Sequence, residues 1–321
     1  MITTVTLNAS IDKAYVMEQA IENGTVMRVK EVRNTAGGKG LNVAKVARIC
    51  GADVQATGFA GGYNGQYLED LARRSDVKTR FFHVEGETRS CINILDPKYG
   101  STEYLEPGFQ VKEEDTERFL AEFPSMIAGS SVVTMSGSAP GGVSADIYRK
   151  LTMAVKKTAS ADAPDFAGPG GKVILDTSGN YLREGILGRP DMIKPNEDEI
   201  EALLGIHVSG YQDVISSARQ LHEKYQIPWV VVSLGAEGAV LACEKGIFHG
   251  KPPALTPVNT VGCGDSMTGA FAVAMERNLG PEQALAYAVA VSAASAMSPL
   301  TGDFDPSVYE KIREDVTVTE V

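Results

Sequence analysis

The chain has 321 residues, 43% hydrophobic and 22% charged, an ordinary globular composition with ample material for one large α/β domain or two smaller ones. A net charge of −11 disfavours nucleic acid and anionic membranes as partners, whereas a small anionic substrate stays open because a few local cations override the global sign. Four scattered cysteines (Cys50, Cys91, Cys243, Cys263) without a CxxC pair point to reduced thiols and a cytoplasmic setting, and four dispersed histidines argue against a His-built metal site.

The opening "MITTVTL" reads as a strand, without the basic-then-apolar pattern of a secretion signal, and no apolar run is long enough to span a bilayer. The strand ends in the polar turn "NASID". Short β segments follow in "AYVMEQ" and "TVMRVKEVR", then a helix from about Gly38 to Ile49 with Val43, Val46, Ala47 and Cys50 on one face. "DVQATGFAG" reads as a buried strand and "GQYLEDLARRS" as a helix, while "KTRFFHVEG", "RSCINILDP" and "STEYLEP" form a second patch of short strands.

After Pro107 the rhythm alternates. "KEEDTERFLAEFPSMI" is helical, "SSVVTMSGS" a strand, "SADIYRKLTMAVKKT" a helix and "KVILDTSG" a strand. "NEDEIEALLG" (helix), "WVVVSLG" (strand) and the final helices continue the series, "ALAYAVAVSAASAM" reading as a closely packed buried helix. Such alternation predicts an α/β fold with a mostly parallel sheet covered on both faces. The β patches, at about residues 12–36 and 86–108, are expected to gather into a small lid on a single domain spanning 1–321. "ASADAPDFAGPGGK" reads as an exposed loop. In parallel sheets ligands collect at the carboxyl ends of strands, where this chain places "NASID", "SGSAPGG", "DTSGN", "KPNEDE" and "SLGAEGA".

In "NTVGCGDSMTGAF" (259–271), Gly262 and Gly264 allow main-chain N–H groups to converge at a helix start, where the dipole favours an anion. Asp265 then stands where it accepts the proton of an attacking hydroxyl, as phosphoryl transfer requires. From this stretch alone, Asp265 as a simple helix cap is an equal alternative. "AGGKGLNVAKVAR" (36–48) is not a Walker A loop, since Gly40 follows Lys39; its glycines admit a polar ligand, Lys39 suits a phosphate and Asn42 sugar hydroxyls. A tight structural turn explains the same glycines. "KPNEDEIEALLG" carries ordinary acidic first-turn chemistry, and "SLGAEGA" fits either a nucleotide contact through Ser233, Gly235 and Gly238 or a plain strand-to-strand turn.

Taken together and in order, "TLNASID", "GGKGLNVA", "SGSAPGG", "DTSG", "KPNEDE", "VVSLGAEGA" and "NTVGCGDSMTGAF" resemble the ribokinase-like (PfkB) carbohydrate kinases over residues 1–300 or so, and among them the branch acting on ketohexose phosphates, 1-phosphofructokinase and tagatose-6-phosphate kinase. The resemblance implies ATP as phosphoryl donor, Asp265 as base, and Gly262, Cys263 and Gly264 as the anion hole. It implies Asp12, Gly38 and Asn42 on the sugar hydroxyls, and Lys39, Arg89 and Arg28 on the substrate's own phosphate. Asn196 and Glu199 become an NxxE pair organising Mg²⁺, with Glu199 acting through water; Asp176 is expected to support the site without reacting. The implied acceptor is fructose 1-phosphate, with tagatose 6-phosphate as the alternative, and a homodimer is expected.

Three departures stand out. Ala9 occupies a usual proline position, "TEYLEPG" differs from the usual isoleucine–asparagine text, and "ADAPDFAGPGG" resembles an insertion. A dinucleotide-dependent oxidoreductase is disfavoured because the first strand ends in "NASID" instead of GxGxxG. A non-catalytic sugar or nucleotide sensor on the same fold is the remaining rival, although it would be expected to have lost the base or the anion hole.

Overall fold

In the computed structural model, which describes residues 1–158 and 171–321, the chain opens with β1 (Ile2–Thr6), β2 (Ser10–Val16), β3 (Glu31–Gly37) and helix α1 (Lys39–Ile49). There follow β4 (Val54–Ala60), α2 (Gly62–Arg74), the two-residue strands β5 (Lys78–Thr79) and β6 (Phe82–His83), then β7 (Arg89–Asp96) and β8 (Gly100–Leu105). The alternating part comprises α3 (Glu113–Met126), β9 (Val132–Ser136), α4 (Ile147–Thr158), β10 (Lys172–Asp176), α5 (Gly179–Gly185), β11 (Met192–Ile193), α6 (Glu197–Leu204) and α7 (Tyr211–Tyr225). It closes with β12 (Trp229–Ser233), β13 (Ala239–Cys243), β14 (Gly246–Lys251), α8 (Cys263–Glu276), α9 (Pro281–Ala296), α10 (Pro306–Ile312) and β15 (Thr317–Glu320).

The large sheet runs β15-β14-β13-β12-β11-β10-β9-β1-β4-β5, with β6 also paired to β4. It is parallel from β12 to β5 and antiparallel only beyond β12. Period-two alternation sends successive side chains to opposite faces and so makes two cores. Val173, Leu175, Val230 and Val232 join Phe119, Tyr148 and Leu221 from α3, α4 and α7. Ile174 and Val231, on the other face, join Val46, Phe271 and Ala288 from α1, α8 and α9. The expected α/β architecture is therefore the one adopted, and the alanine-rich segment near the end is the buried α9. Among the described residues no helix is long and apolar enough to cross a membrane.

A second sheet stands apart, in the order β3-β2-β7-β8. Two sequence expectations need correction here. "TVMRVKEVR" is strand only from Glu31 onward, because Glu22–Val26 are exposed and Gly24 turns the chain at φ 79, leaving nothing for a strand to pack upon. "KTRFFHVEG" belongs to the edge of the large sheet, paired with β4, where Phe82 enters the core against Phe59 and Phe119. The expected loop at 159–171 lies, apart from Gly171, outside the described residues.

Phe119 is fully buried, its ring centroid 4.6 Å from that of Phe59. Phe119→Ala is expected to cost about 3–5 kcal/mol of stability, read as a lower urea midpoint at unchanged m-value.

Candidate active site

Helix α8 begins abruptly. Its N-cap is Gly262 in a left-handed conformation (φ 83), which a side chain would strain, and no side chain caps the helix. The first helical bond runs from the Ser266 N–H to the Gly262 carbonyl at 2.9 Å, and the Cys263 N–H makes a longer 3.4 Å bond to the Thr260 carbonyl. The Gly264 and Asp265 N–H groups lie in the same first turn with the helix dipole behind them, an end suited to an anion.

Asp265, in that first turn, is 7% exposed and does not cap. Its Oδ2 instead accepts a hydrogen bond from Asn42 Nδ2 at 2.9 Å, across 223 residues of chain. Burial and the neighbouring Asp176 push the Asp265 carboxyl up to about 6, against the hydrogen bond from Asn42 and the charges of Lys39 and Lys194, which lower it. Asp265 therefore does not cap α8: its carboxylate is oriented by a side chain from α1, and its pKa is raised.

Around it lies a charge cluster of which the sequence announced Asp176, Lys39 and Glu199 but not Lys194. Asp176, 2% exposed at the end of β10, accepts from Thr268 Oγ1 at 2.9 Å and pairs with Lys194 Nζ at 3.4 Å. Lys194, 7% exposed just after β11, also reaches α8: a Cβ placed on Gly264 would lie 3.4 Å from its Nζ. Lys39, on the first turn of α1, is exposed and has its ammonium pKa raised by Asp176, then by Asp265 and Glu199. Two lysines thus flank this end of α8. Lys194 was legible only as the polar residue ending a short buried run, "DMIKP".

Asn196 and Glu199 form a capping box at the start of α6: Glu199 N–H donates to Asn196 Oδ1 at 2.8 Å, and Asn196 N–H donates to Glu199 Oε2 at 3.0 Å. Burial, first of all, raises the Glu199 carboxyl pKa, and Asp176 adds to it. Ser233 ends β12, and Gly235 and Gly238 form the turn into β13, where the Leu234 N–H donates to the Gly238 carbonyl at 2.8 Å. Beside this turn an open cleft of ≈ 450 Å³ is lined by Glu197, Tyr211, Leu234, Glu237 and His249.

From the small sheet, Asp12 on β2 turns toward the same region. Ser10 Oγ donates to Asp12 Oδ1 at 2.7 Å, and burial raises the Asp12 carboxyl pKa against the nearby cations Lys45 and Arg89. The carboxylate lies flat on Gly37, where a Cβ would fall 2.0 Å from its oxygen. Gly38 is the N-cap of α1 at φ 100. Arg89, opposite Ser10 in register, donates to the Asn8 carbonyl at 3.1 Å and the Glu106 carbonyl at 3.4 Å, while its Nε is buried without a partner. Asn42 Oδ1 is likewise a buried acceptor without a donor. Such orphaned groups beside the site mark where a ligand's polar atoms fit.

The structure therefore gathers Asp265, Gly262, Cys263, Gly264, Asn42, Lys39 and Glu199 around one locus, with Asp12 and Arg89 approaching from the small sheet. Arg28 is not gathered. It lies exposed between β2 and β3 and pairs with no carboxylate among the described residues, because the segment carrying it is not held in either strand. The Cys263 thiol, half-buried next to Asp265, is pushed up to about 11 by burial first and by Asp265, and stays protonated.

Comparison with known proteins bears on this geometry. Residues 5–307 match the family described as pfkB family carbohydrate kinase. The chain is 35% identical over 323 residues, covering 100% of both chains, to a tagatose-6-phosphate kinase of Staphylococcus epidermidis. Its fold matches Escherichia coli phosphofructokinase-2 in complex with substrates and products, with a TM-score of 0.87 at 26% identity over 98% of each chain. The tetrameric inhibited form of that protein matches with a TM-score of 0.85, also at 26% identity over 98% of each chain.

Gly37→Ala should displace the Asp12 carboxylate and weaken ligand binding at the small-sheet side by about tenfold or more, since each 1.4 kcal/mol is tenfold. Calorimetric titration with the sugar ligand, beside a thermal melt that stays near that of the parent, checks this.

Proposed function

The chain belongs to the pfkB family of carbohydrate kinases, a phosphotransferase family, and from that premise we propose that it transfers the γ-phosphoryl group of ATP to the free terminal hydroxyl of a ketohexose monophosphate, most directly fructose 1-phosphate, giving the 1,6-bisphosphate. The observation that carries this reading is Asp265: buried, raised toward neutrality and held by Asn42 at the mouth of an uncapped helix. Tagatose 6-phosphate is the second reading, favoured by the full-length relative of that activity.

In this mechanism Asp265 accepts the proton of the acceptor hydroxyl as its oxygen attacks the terminal phosphorus. The amides of Gly262–Gly264 and the ammonium groups of Lys39 and Lys194 offset the charge on the transferring phosphoryl oxygens in a site that is largely dry. Asp12 and Asn42 orient the sugar hydroxyls, and the Arg89 guanidinium holds the phosphate the substrate already carries. Ser233, Gly235 and Gly238 border the nucleotide. Closure of the small sheet over the acceptor excludes water and limits ATP hydrolysis.

Mg²⁺ fits the residues present, provided its coordination comes mainly from waters and phosphates: no group of three or more ligating side chains is found among the described residues, but the half-buried Glu199 carboxylate beside Asp176 offers a negative locus with its backbone geometry fixed by Asn196. Bound there, the ion would neutralise phosphate charge. The reduced cysteines agree with a cytoplasmic setting, and the exposed apolar side chains Val26, Val29, Val32 and Tyr104 on and around the small sheet, with the tetrameric relative, support self-association, beginning with a dimer.

The deciding assay measures ADP release with fructose 1-phosphate, tagatose 6-phosphate and free ketohexoses; ligand binding with no ADP from any phosphosugar would leave the sensor reading standing. Because the base must be ionised and its carboxyl titrates at about 6, kcat/KM should fall about tenfold per pH unit below pH 6 and level off above it. Asp265→Asn should lower turnover by about 10²-fold or more while ATP binding persists. The same change should leave the melting temperature unchanged or higher at pH 7: a carboxyl whose folded pKa is raised favours folding only while protonated, and that contribution is lost as pH rises through about 6. Arg89→Ala should raise KM for the phosphosugar far more than for ATP; equal losses would indicate damaged folding instead.

A further inference from the structure

The face of the small sheet that carries Asp12 can be read row by row from the strand register. Gly37, Ser10 and Arg89 form the row nearest the large sheet. Thr35, Asp12, Cys91 and Leu105 form the next, and Arg33, Ala14, Asn93 and Glu103 the one beyond. Directly opposed residues share a face. Ser10 ties the second row together, since its hydroxyl donates to Asp12 and also contacts the Cys91 thiol. Glu103 acts on both Asp12 and Cys91, which sets its carboxylate on the same side.

This surface is mostly polar around Asp12, its apolar members being Ala14 in the row beyond and Cys91 with Leu105 along one edge. Cys91 is half-buried directly beside Asp12, and Leu105, directly opposite Cys91, leaves 63% of its surface exposed. "TEYLEPG" is where the chain departs from the usual isoleucine–asparagine text, and the departure places Leu105 in the row of the carboxylate proposed to orient sugar hydroxyls, two strands from Asp12 and across Cys91. An apolar edge of that kind accepts a C–H and strands a hydroxyl, which would lose its water without gaining a partner.

We infer that Cys91 and Leu105 are specificity-determining residues that read the configuration at C4 of the acceptor: the preferred ketohexose phosphate turns its C4 hydrogen, and not its C4 hydroxyl, toward this pair. Fructose and tagatose phosphates differ only at that carbon when the phosphate is on the same end, so hydrogen and hydroxyl exchange faces between them. The inference rests on the ketohexose phosphate kinase reading and deepens it. An apolar wall rejects an extra hydroxyl by about 10²-fold at most, so discrimination of roughly ten- to a hundredfold is the scale expected.

The test uses a single pair of C4 epimers, fructose 6-phosphate with tagatose 6-phosphate, or the two 1-phosphates if the native enzyme accepts that end. Native enzyme should favour one epimer by at least about tenfold in kcat/KM. Leu105→Asn combined with Cys91→Ser, which supplies hydrogen-bonding groups along the edge, should bring that ratio fivefold or more toward unity, chiefly through KM of the disfavoured epimer. Leu105→Asn alone, at an exposed position, should shift the ratio in the same direction, so poor folding of the double variant would not shield the inference. A native ratio near one, or equal losses for both epimers in the variants, overturns it; equal losses with altered sedimentation would assign Leu105 to a subunit contact instead. Absence of turnover with every phosphosugar removes the kinase reading itself, an outcome distinct from an unchanged ratio.

Discussion

The candidate site is built around one buried carboxylate, Asp265, whose ionisation is held in balance by its neighbours. Burying Asp265 alone would protonate it, and surrounding it with lysines alone would make it a weak base. The chain balances the two. Asp176, nearly inaccessible, repels Asp265 and raises its pKa, yet also anchors Lys194 and engages Thr268 one turn along α8. The same buried carboxylate that raises the Asp265 pKa therefore positions a cation beside the start of α8. Burying two acids and a lysine together is costly unless each is paired, and here the hydrogen bonds and the ion pair meet most of that cost.

Every member of this cluster comes from the end of a different element: β10, β11, α1, α6 and α8. In a parallel sheet the carboxyl ends of strands and the amino ends of the following helices meet on one edge, so positive helix dipoles and strand-end side chains converge without any special loop. Gly262 and Gly38, both in the left-handed region, turn the backbone into α8 and α1 at that edge. Asn42 then links the two helices through Asp265, which couples the motif near the start of the chain to the one near its end.

The small sheet supplies what the large one lacks. Its Asp12 carboxylate is seated on Gly37, and its Arg89 leaves one buried donor unpaired, so this face offers an acceptor and a cation with free hydrogen-bonding capacity. Few apolar side chains anchor its outer part: β8 is exposed along its whole length, and the segment bearing Arg28 has no strand partner. Elements with so little burial are those that move at low free-energy cost.

What the sequence by itself determined is the alternation of strands and helices and the positions of the glycine-bearing helix starts, with Asp265, Asn42 and Lys39 as candidates beside the plainer alternatives of a cap or a tight turn. These are local properties, set by periodicity, by glycine conformations and by the residue types that phosphate and hydroxyl chemistry require. Whether Asp265 capped its helix, that Lys194 joins Asp176 beside it, which short strands joined which sheet, and that Leu105 faces Cys91 were decided only by tertiary structure. Each of those depends on contacts across scores or hundreds of residues and on strand register, and a side chain's partner at that distance leaves no periodic trace in the chain. Arg28 marks the same boundary from the other side: its charge was legible, but its place was not, because the segment that carries it, though tied to Asp96 at Ile21 and to Val16 at Lys30, forms no strand that would set its side chain.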